Sequence, residues 1–497
     1  MGRKQSKNNR TKKSQSFQYK GVLDITRSGM GYVVVEKLDK DILVRPNDFN
    51  TALHGDTVRV KIVSDPYKVG RVQGQVIEVL KRKQLEFIGH LEVDRKQVLF
   101  SADTDKPIPD LLIPAADLGG ATAQDRVIVR LTRWEPGRRP EGKVVQIIRA
   151  EDENDIAMKE ILMEGGFPLL FPDEVLEESE RISDVITPAI IKERRDCRDL
   201  LTVTIDPLDA KDFDDALSFQ RLPNGSYEVG VHIADVAHYL EEGSALDREA
   251  YDRATSVYLP DRVAPMLPER LSNELCSLRP KEDKLTFSVF FEITPQGQLN
   301  KYWIGKTVIH SDHRFTYEEV QEIIEQKAGL YKDEILILNE LAQQFRRERM
   351  RKGAINFSSQ EVRFKLDEKR RPIGIIVKES KEAHQLIEEF MLLANRKVAE
   401  HIHELPKGKK PIAFPYRIHD TPDEVKLLPF VAFAAKYGHG FDTQSPEGIA
   451  ASFNQMLQDV KGKPEQHVLE QLGIRTMAKA VYSTDNIGHY GLGFNHY

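Results

Sequence analysis

Between Thr204 and Ser218 the chain places five aspartates, Asp206, Asp209, Asp212, Asp214 and Asp215, among apolar residues that include Ile205, Phe213, Ala216 and Leu217. Carboxylates packed this closely repel one another, and the apolar neighbours draw the run toward a core where water screens it poorly. Any fold containing the run must either present it as a solvated loop or neutralise it with cations. The flanks favour the second. Leu201–Ile205 alternates like a strand, and Tyr227–Ile233 does so again beyond an Asn224–Gly225 turn, so the aspartates lie where a strand ends and a hairpin follows. A calcium loop of the EF-hand type requires an oxygen ligand at its third position and Gly at its sixth. Counting from Asp206, those positions hold Leu208 and Lys211, which excludes it. Magnesium or manganese remains. Such ions commonly share carboxylates with substrate phosphates, which points to phosphate-ester chemistry.

A chain of 497 residues exceeds a single core and implies two to four domains. Mean hydropathy is -0.45, no apolar run approaches 18 residues, and the N-terminus lacks a signal-peptide core. These features predict a cytoplasmic protein without a membrane partner. Cys197 and Cys276 stand far apart without metal-ligand spacing, which fits a reducing compartment and argues against zinc. The net charge of -6 is unevenly divided. Residues 1–150 carry 28 Lys and Arg against 18 Asp and Glu, a net +10, leaving -16 for the other 347 residues. That asymmetry suggests a polyanion-binding region ahead of an acidic, metal-holding body.

Residues 1–16 read as a disordered basic arm drawn to phosphates. Residues 17–83 show five short strands with Gly and Asn turns, the pattern of a small barrel. Residues 84–150 repeat it: Asp48, Asp56, Val58 and Val60 are echoed 69 residues later by Asp117, Asp125, Val127 and Val129, and Gly74 and Val76 by Gly142 and Val144 after 68. Residues 151–195 form a helical linker, and residues 196–497 a mixed α/β catalytic region. Within it, Thr316–Glu319 is a capping box, and Ile335, Leu338, Leu341, Ala342 and Phe345 make one apolar helix face. The same helix ends in Arg346, Arg347, Arg349, Arg351 and Lys352, read as a phosphate-tracking patch as well as dipole compensation.

The aspartate run resembles the active-site segment of the RNB family, the exoribonucleases of the ribonuclease II and ribonuclease R type. Arg198–Leu201, Val231–Val236, Ser256–Pro260, Pro265–Leu278, Leu386–Asn395 and Arg417–Asp420 are similar to further family segments, in family order. The two leading barrels look most like the ribonuclease R branch. The resemblance implies an α+β multidomain fold, with two tandem cold-shock-type OB-fold barrels before the catalytic domain. It implies a processive 3′-to-5′ exoribonuclease that releases nucleoside 5′-monophosphates from single-stranded RNA, or from structured RNA with a 3′ overhang. Asp206, Asp212 and Asp215 would be metal ligands and Asp214 the acid of the chemical step, with Asp209 left outside the set. Tyr258 and Phe357 would clamp the last bases, and Glu389, 32 residues beyond Phe357, would contact the terminal nucleotide. Tyr32 would either stack a base or pack within its barrel. No stable protein partner is implied. The sequence stops at Gly488–Tyr497, before a family segment rich in arginine and a third RNA-binding barrel. The expectation is therefore a catalytic domain incomplete at its C-terminal end, with a noncatalytic RNA-binding fragment as the alternative.

Overall fold

The computed structural model describes residues 17–36, 38, 40–63, 72–94, 97–148, 153–357, 361–378, 380–405 and 412–497. The basic arm expected over residues 1–16 lies outside them. Two compact units emerge. The first comprises residues up to Pro172 with Ser256–Ala264 and Glu368–Arg371; the second comprises Asp173–Thr255, Pro265–Asp367 and Pro372–Tyr497.

In the first unit, strands β1 (Gln18–Ile25), β2 (Gly31–Val34), β3 (Ile42–Val44), β4 (Thr57–Ile62) and β5 (Gln73–Lys81) close a barrel in the order β1-β2-β3-β5-β4. Strands β6 (Glu86–Asp94), β7 (Gln97–Ala102), β8 (Leu111–Ile113), β9 (Arg126–Arg133) and β10 (Glu141–Ile148) close a second, as the internal repeat implied. The repeated residues do the same work in each. Asp56 accepts hydrogen bonds from the amides of Leu53 at 2.8 Å and Lys83 at 2.9 Å, and Asp125 accepts one from the amide of Thr122 at 2.6 Å, so each fixes the turn that launches a strand. A side chain at Gly74 would meet Val60 Cγ2 at 2.6 Å, and one at Gly142 would meet Val129 Cγ1 at 2.5 Å. Each glycine leaves room for a valine filling the barrel interior. Helix α1 (Glu153–Glu164) follows, and a ribbon of β15 (Val257–Tyr258) and β16 (Val263–Ala264) completes the unit.

The second unit opens with helices α2 (Asp173–Arg181) and α3 (Pro188–Lys192) and is built on a seven-stranded mixed sheet. Its strands are β11 (Arg195–Asp196), β12 (Leu201–Asp206), β13 (Asp215–Arg221), β14 (Tyr227–Ala234), β17 (Asp283–Ile293), β18 (Leu299–His310) and β19 (His313–Thr316), ordered β11-β18-β17-β14-β13-β12-β19. Helix α4 (Ala245–Arg253) lies in the connection from β14. Helices α5 (Tyr317–Gln326), α6 (Lys332–Arg351) and α7 (Glu382–Glu404) pack on the sheet, where Val203, Ile205, Leu217, Val229, Val231 and Phe291 meet Val320, Leu338, Leu341, Leu386 and Phe390. Each such side chain, once buried, stabilises the fold by about 1.5–3 kcal/mol before entropy is counted. The apolar face expected on α6 is the one it buries, and α5 begins with the expected Thr316–Glu319 capping box. A hairpin of β20 (Glu361–Leu366) and β21 (Pro372–Lys378) precedes α7. The remainder holds β22 (Tyr416–Ile418), α8 (Glu424–Ala435), α9 (Pro446–Asp459), α10 (Gln466–Thr476) and β23 (Val481–Ser483), with Phe430 and Phe453 stacked at its core.

Candidate active site

Pro207 ends β12, because proline has no amide to give the strand ladder. The chain then leaves the sheet at Asp206 and re-enters it at Asp215, the first residue of β13. Asp206 is in register with Thr316 on β19 and Asp215 with Ile233 on β14, so the two carboxylates stand at neighbouring strand ends. Asp212 and Asp214 occupy the loop between them. Four of its backbone groups are held by neighbours. Ser277 Oγ accepts from the Phe213 amide at 3.0 Å and donates to the Lys211 carbonyl at 3.0 Å, while the amides of Leu278 and Ala234 donate to the carbonyls of Phe213 and Asp214 at 2.8 and 3.0 Å. Arg314 Nη2 donates to the carbonyls of Pro207 and, at 3.1 Å, Leu208, and its guanidinium lies 5.4 Å from the centre of the Phe213 ring.

This rigid loop holds the acids at an electrostatic cost. Burial pushes the Asp215 carboxyl up to about 7, with the charges of Asp206 and Asp214 adding to it. Burial likewise raises Asp206 to about 6, with Thr204 and Arg314 opposing it and the charges of Asp214 and Asp212 adding to it. Asp214, whose side chain reaches solvent, is also raised, first by partial desolvation and then by Asp212. Tyr317 belongs to the same neighbourhood: burial lifts its hydroxyl to about 12, and the charges of Asp215 and Asp206 add to the effect. Its ring stacks on His384 at 4.2 Å.

Among the described residues no three Asp, Glu, His or Cys side chains stand in a ready metal-holding arrangement. The chemistry of the donor set nevertheless fits a hard cation. Asp206 Oδ2 is buried without a hydrogen-bond partner, and its neighbours are carboxylates whose ionisation needs positive charge to offset it.

The other expected residues are not all gathered here. Glu389 is 2% exposed and its carboxylate takes two hydrogen bonds from Arg349, at 3.2 and 2.5 Å, with Arg346 3.5 Å away. Of the phosphate-tracking patch expected at the end of α6, Arg349 is thereby buried in an ion pair. Arg349 is spent on Glu389, and Arg351 and Lys352 pair with Glu348 at 2.8 and 3.2 Å. The reason is proximity of acids that sequence order alone does not rank, one within α6 and one across from it on α7. Phe357 is half-buried against Phe453 at 5.6 Å. Tyr258 is 66% exposed on a ribbon of the first unit, which Arg262 fastens to Asp155 of α1. Tyr32 is partly exposed on β2 between buried Gly31 and Val33, so it faces out of the barrel. Asp209 stands apart from the other four acids, its side chain 83% exposed and 3.6 Å from Arg363. Both cysteines are buried free thiols.

Sequence reasoning assigned nothing to Ser277, Arg314 or Tyr317. The capping box around Tyr317 was one available signal, since it starts a helix where a strand pairs with the aspartate strand, and Ser277 lay inside the family-like segment Pro265–Leu278.

Two expected outcomes follow from this geometry. Arg314→Lys, which cannot grip two carbonyls in one plane, lowers phosphodiester hydrolysis at least about tenfold with RNA affinity nearly intact, because roughly 1.4 kcal/mol of lost positioning suffices. Single-turnover rates beside equilibrium binding measure this. Glu389→Ala strands Arg349 in the core and costs about 3–5 kcal/mol in denaturant unfolding. Unchanged stability with weakened RNA binding would instead make Glu389 a nucleotide contact.

Comparison with known proteins places these features in context. The RNB domain family model matches residues 194–497, the ribonuclease B OB domain residues 21–79, and a cold shock domain residues 101–172. Ribonuclease R of Thermotoga maritima is 37% identical over 487 residues, covering 95% of this chain and 67% of its own length. Ribonuclease R of Aquifex aeolicus is 34% identical, covering 94% and 66%. The chain thus spans about two thirds of the length of these curated relatives. The structure of Mycoplasma genitalium RNase R with ribose-methylated single-stranded RNA superposes with a TM-score of 0.76 at 27% identity, over 96% of this chain and 76% of that one.

Proposed function

The chain belongs to the RNB family, in its ribonuclease R branch, and from that membership we propose that it is a processive 3′-to-5′ exoribonuclease acting through divalent cations held by its aspartate cluster. The observation that carries the reading is the loop, pinned by Ser277, that bears Asp212 and Asp214 between the strand ends of Asp206 and Asp215, with one Asp206 oxygen buried and unpartnered. Asp206, Asp212 and Asp215 would hold magnesium or manganese, and Asp214 would serve the chemical step. When bound, such ions neutralise nonbridging phosphate oxygens and supply an activated water. The protein's part is positional. Ser277 and Arg314 keep the acids from springing apart, and the strand ends of β12 and β13 set their spacing. Tyr317 lies within reach of the Asp215 and Asp206 charges.

The substrate would be single-stranded RNA, or structured RNA entered from a 3′ overhang. Mycoplasma genitalium RNase R has been captured with both single- and double-stranded RNA, which supports that choice. The outward-facing Tyr32 and the exposed Tyr258 would offer stacking surfaces worth about 1–3 kcal/mol per base. No described helix is long and apolar enough to cross a membrane, in keeping with a cytoplasmic setting as part of the proposal.

RNA labelled at its 5′ end, offered with a free or a blocked 3′ end, tests the reading. Magnesium-dependent shortening and release of nucleoside 5′-monophosphates are expected only from the free end. Binding without hydrolysis would assign the chain to RNA-binding proteins that have lost catalysis. Tyr258→Ala is expected to change the length at which digestion stops, since weaker stacking favours release over another cut. An unchanged product ladder on gels would remove Tyr258 from the clamp.

A further inference from the structure

The sheet face that α5, α6 and α7 cover emerges from beneath them beside the aspartates. Leu217, Val231 and Val289 stand side by side on β13, β14 and β17 and are buried under the helices. Two residues along each strand, the same face carries Asp215, Ile233 and Phe287, with Lys306 of β18 opposite Phe287. Ile233 and Phe287 are each 43% exposed, unlike the row before them. Leu285, two residues beyond Phe287, is buried again and lines a cavity of about 200 Å³ with Ile186 and Tyr239. The open row is therefore one residue wide, and it begins at a carboxylate of the site. Strands about 4.8 Å apart put its two ends about 14 Å from one another, a span of nucleotide size. Its far end is cationic. Lys306 is exposed, forms no ion pair among the described residues, and its charge reaches the exposed His238. Asp283, on the same face of β17, is taken up by Arg198 and His310 at 3.0 and 2.8 Å, and Asp235, just past β14, by Arg194 at 2.6 Å.

Resting on the ribonuclease reading above, we infer that Ile233 and Phe287 are a stacking strip for one base of the RNA strand, and that Lys306 grips the phosphate beyond that base. An RNA strand carries flat apolar rings between regularly spaced anions, and the row matches that order with cation-holding Asp215, two apolar side chains and a lysine. Phe287 offers its ring to any base, since every base has a π-face, so the contact is indifferent to sequence, as digestion of arbitrary RNA requires. Water leaving Ile233 and Phe287 favours the seat, and an ammonium without an ion-pair partner gives none up when the phosphate arrives.

The test measures binding of fluorescent single-stranded RNA without divalent ions, with an abasic site replacing each of the nucleotides near the 3′ end in turn, beside hydrolysis with magnesium. At one position the parent is expected to lose about fivefold or more in affinity, the weight of one stacked base. Phe287→Ala binds the intact RNA about fivefold or more weakly and no longer responds to the abasic site at that position, while Phe287→Tyr, which keeps the ring, behaves as the parent. Across a KCl series, Lys306→Ala lowers the slope of log K against log salt by about 0.7, one single-strand phosphate, and Lys306→Arg keeps it. Melting temperatures check the fold; should Phe287→Ala melt lower, Phe287→Leu retains the apolar volume without the ring and is expected to lose the same abasic response. An abasic profile identical in the parent and in both ringless variants overturns the stacking strip, and an unaltered salt slope in Lys306→Ala overturns the phosphate contact. A parent dimer that Phe287→Ala dissociates, with RNA binding unchanged, makes the row an interface between copies and overturns the inference as well. If the parent binds but never hydrolyses RNA, while Phe287→Ala loses the abasic response, the catalytic reading falls and the strip stands.

Discussion

Asp214→Asn is expected to reduce RNA hydrolysis by at least about a hundredfold to a thousandfold while leaving RNA affinity within a few-fold of the parent. The size follows from removing the carboxyl assigned to the chemical step, since general acid–base roles are commonly worth about a hundredfold to ten-thousandfold. Affinity survives because binding rests on stacking and phosphate contacts away from the metal loop. The substitution is nearly isosteric, and the Asp214 side chain reaches solvent while its backbone carbonyl is what Ala234 holds, so the loop keeps its shape. Single-turnover assays with magnesium, run beside equilibrium binding, measure both quantities. A rate within about threefold of the parent would take Asp214 out of the chemical step.

The second large effect couples pH, metal and stability. Asp206 titrates near 6 and Asp215 near 7 in the folded protein, against about 3.9 for an unfolded chain. Between those limits the folded state binds more protons than the unfolded one, so these two groups make stability fall as pH rises through roughly 4 to 7. Without divalent ions the protein should therefore gain on the order of 2 kcal/mol or more from these sites on going from pH 8 to pH 5. Magnesium reverses the trend because it binds the ionised carboxylates. Melting curves at pH 8 should shift upward with magnesium, and curves at pH 5 should shift far less. In Asp215→Asn the metal-free pH dependence flattens and the magnesium increment shrinks. Equal magnesium increments at the two pH values would contradict the electrostatics described here.

How much of this was legible beforehand depends on the range of the interaction. Pro207 and the Asn224–Gly225 turn act locally, so the placement of the aspartates between a strand and a hairpin could be read directly. The barrels were readable because Asp56 and Asp125, and Gly74 and Gly142, solve the same turn and packing problems twice. The buried stripe of α6 followed from its period. What fixes the loop was not readable. Ser277 and Arg314 act on backbone carbonyls 66 and 107 positions away, and a carbonyl leaves no mark in sequence. The burial of Arg349 was unreadable for a related reason, since its partner Glu389 lies 40 positions beyond it on another helix. Phe357 and Tyr258 came from family resemblance, and the product-length assay of Tyr258→Ala tests the clamp proposed for Tyr258.

The proposal that Asp206, Asp212 and Asp215 hold a divalent cation is tested most directly by titrating manganese into the protein and following free ion by electron paramagnetic resonance, in the parent and in Asp206→Asn and Asp215→Asn. That assignment predicts that the parent binds manganese in competition with magnesium, more tightly at pH 8 than at pH 5, and that each substitution weakens binding at least about tenfold. Manganese bound with the same stoichiometry and affinity in all three proteins would contradict it, because the ion would then lie elsewhere and the raised carboxyls of β12 and β13 would be left without a cation to serve.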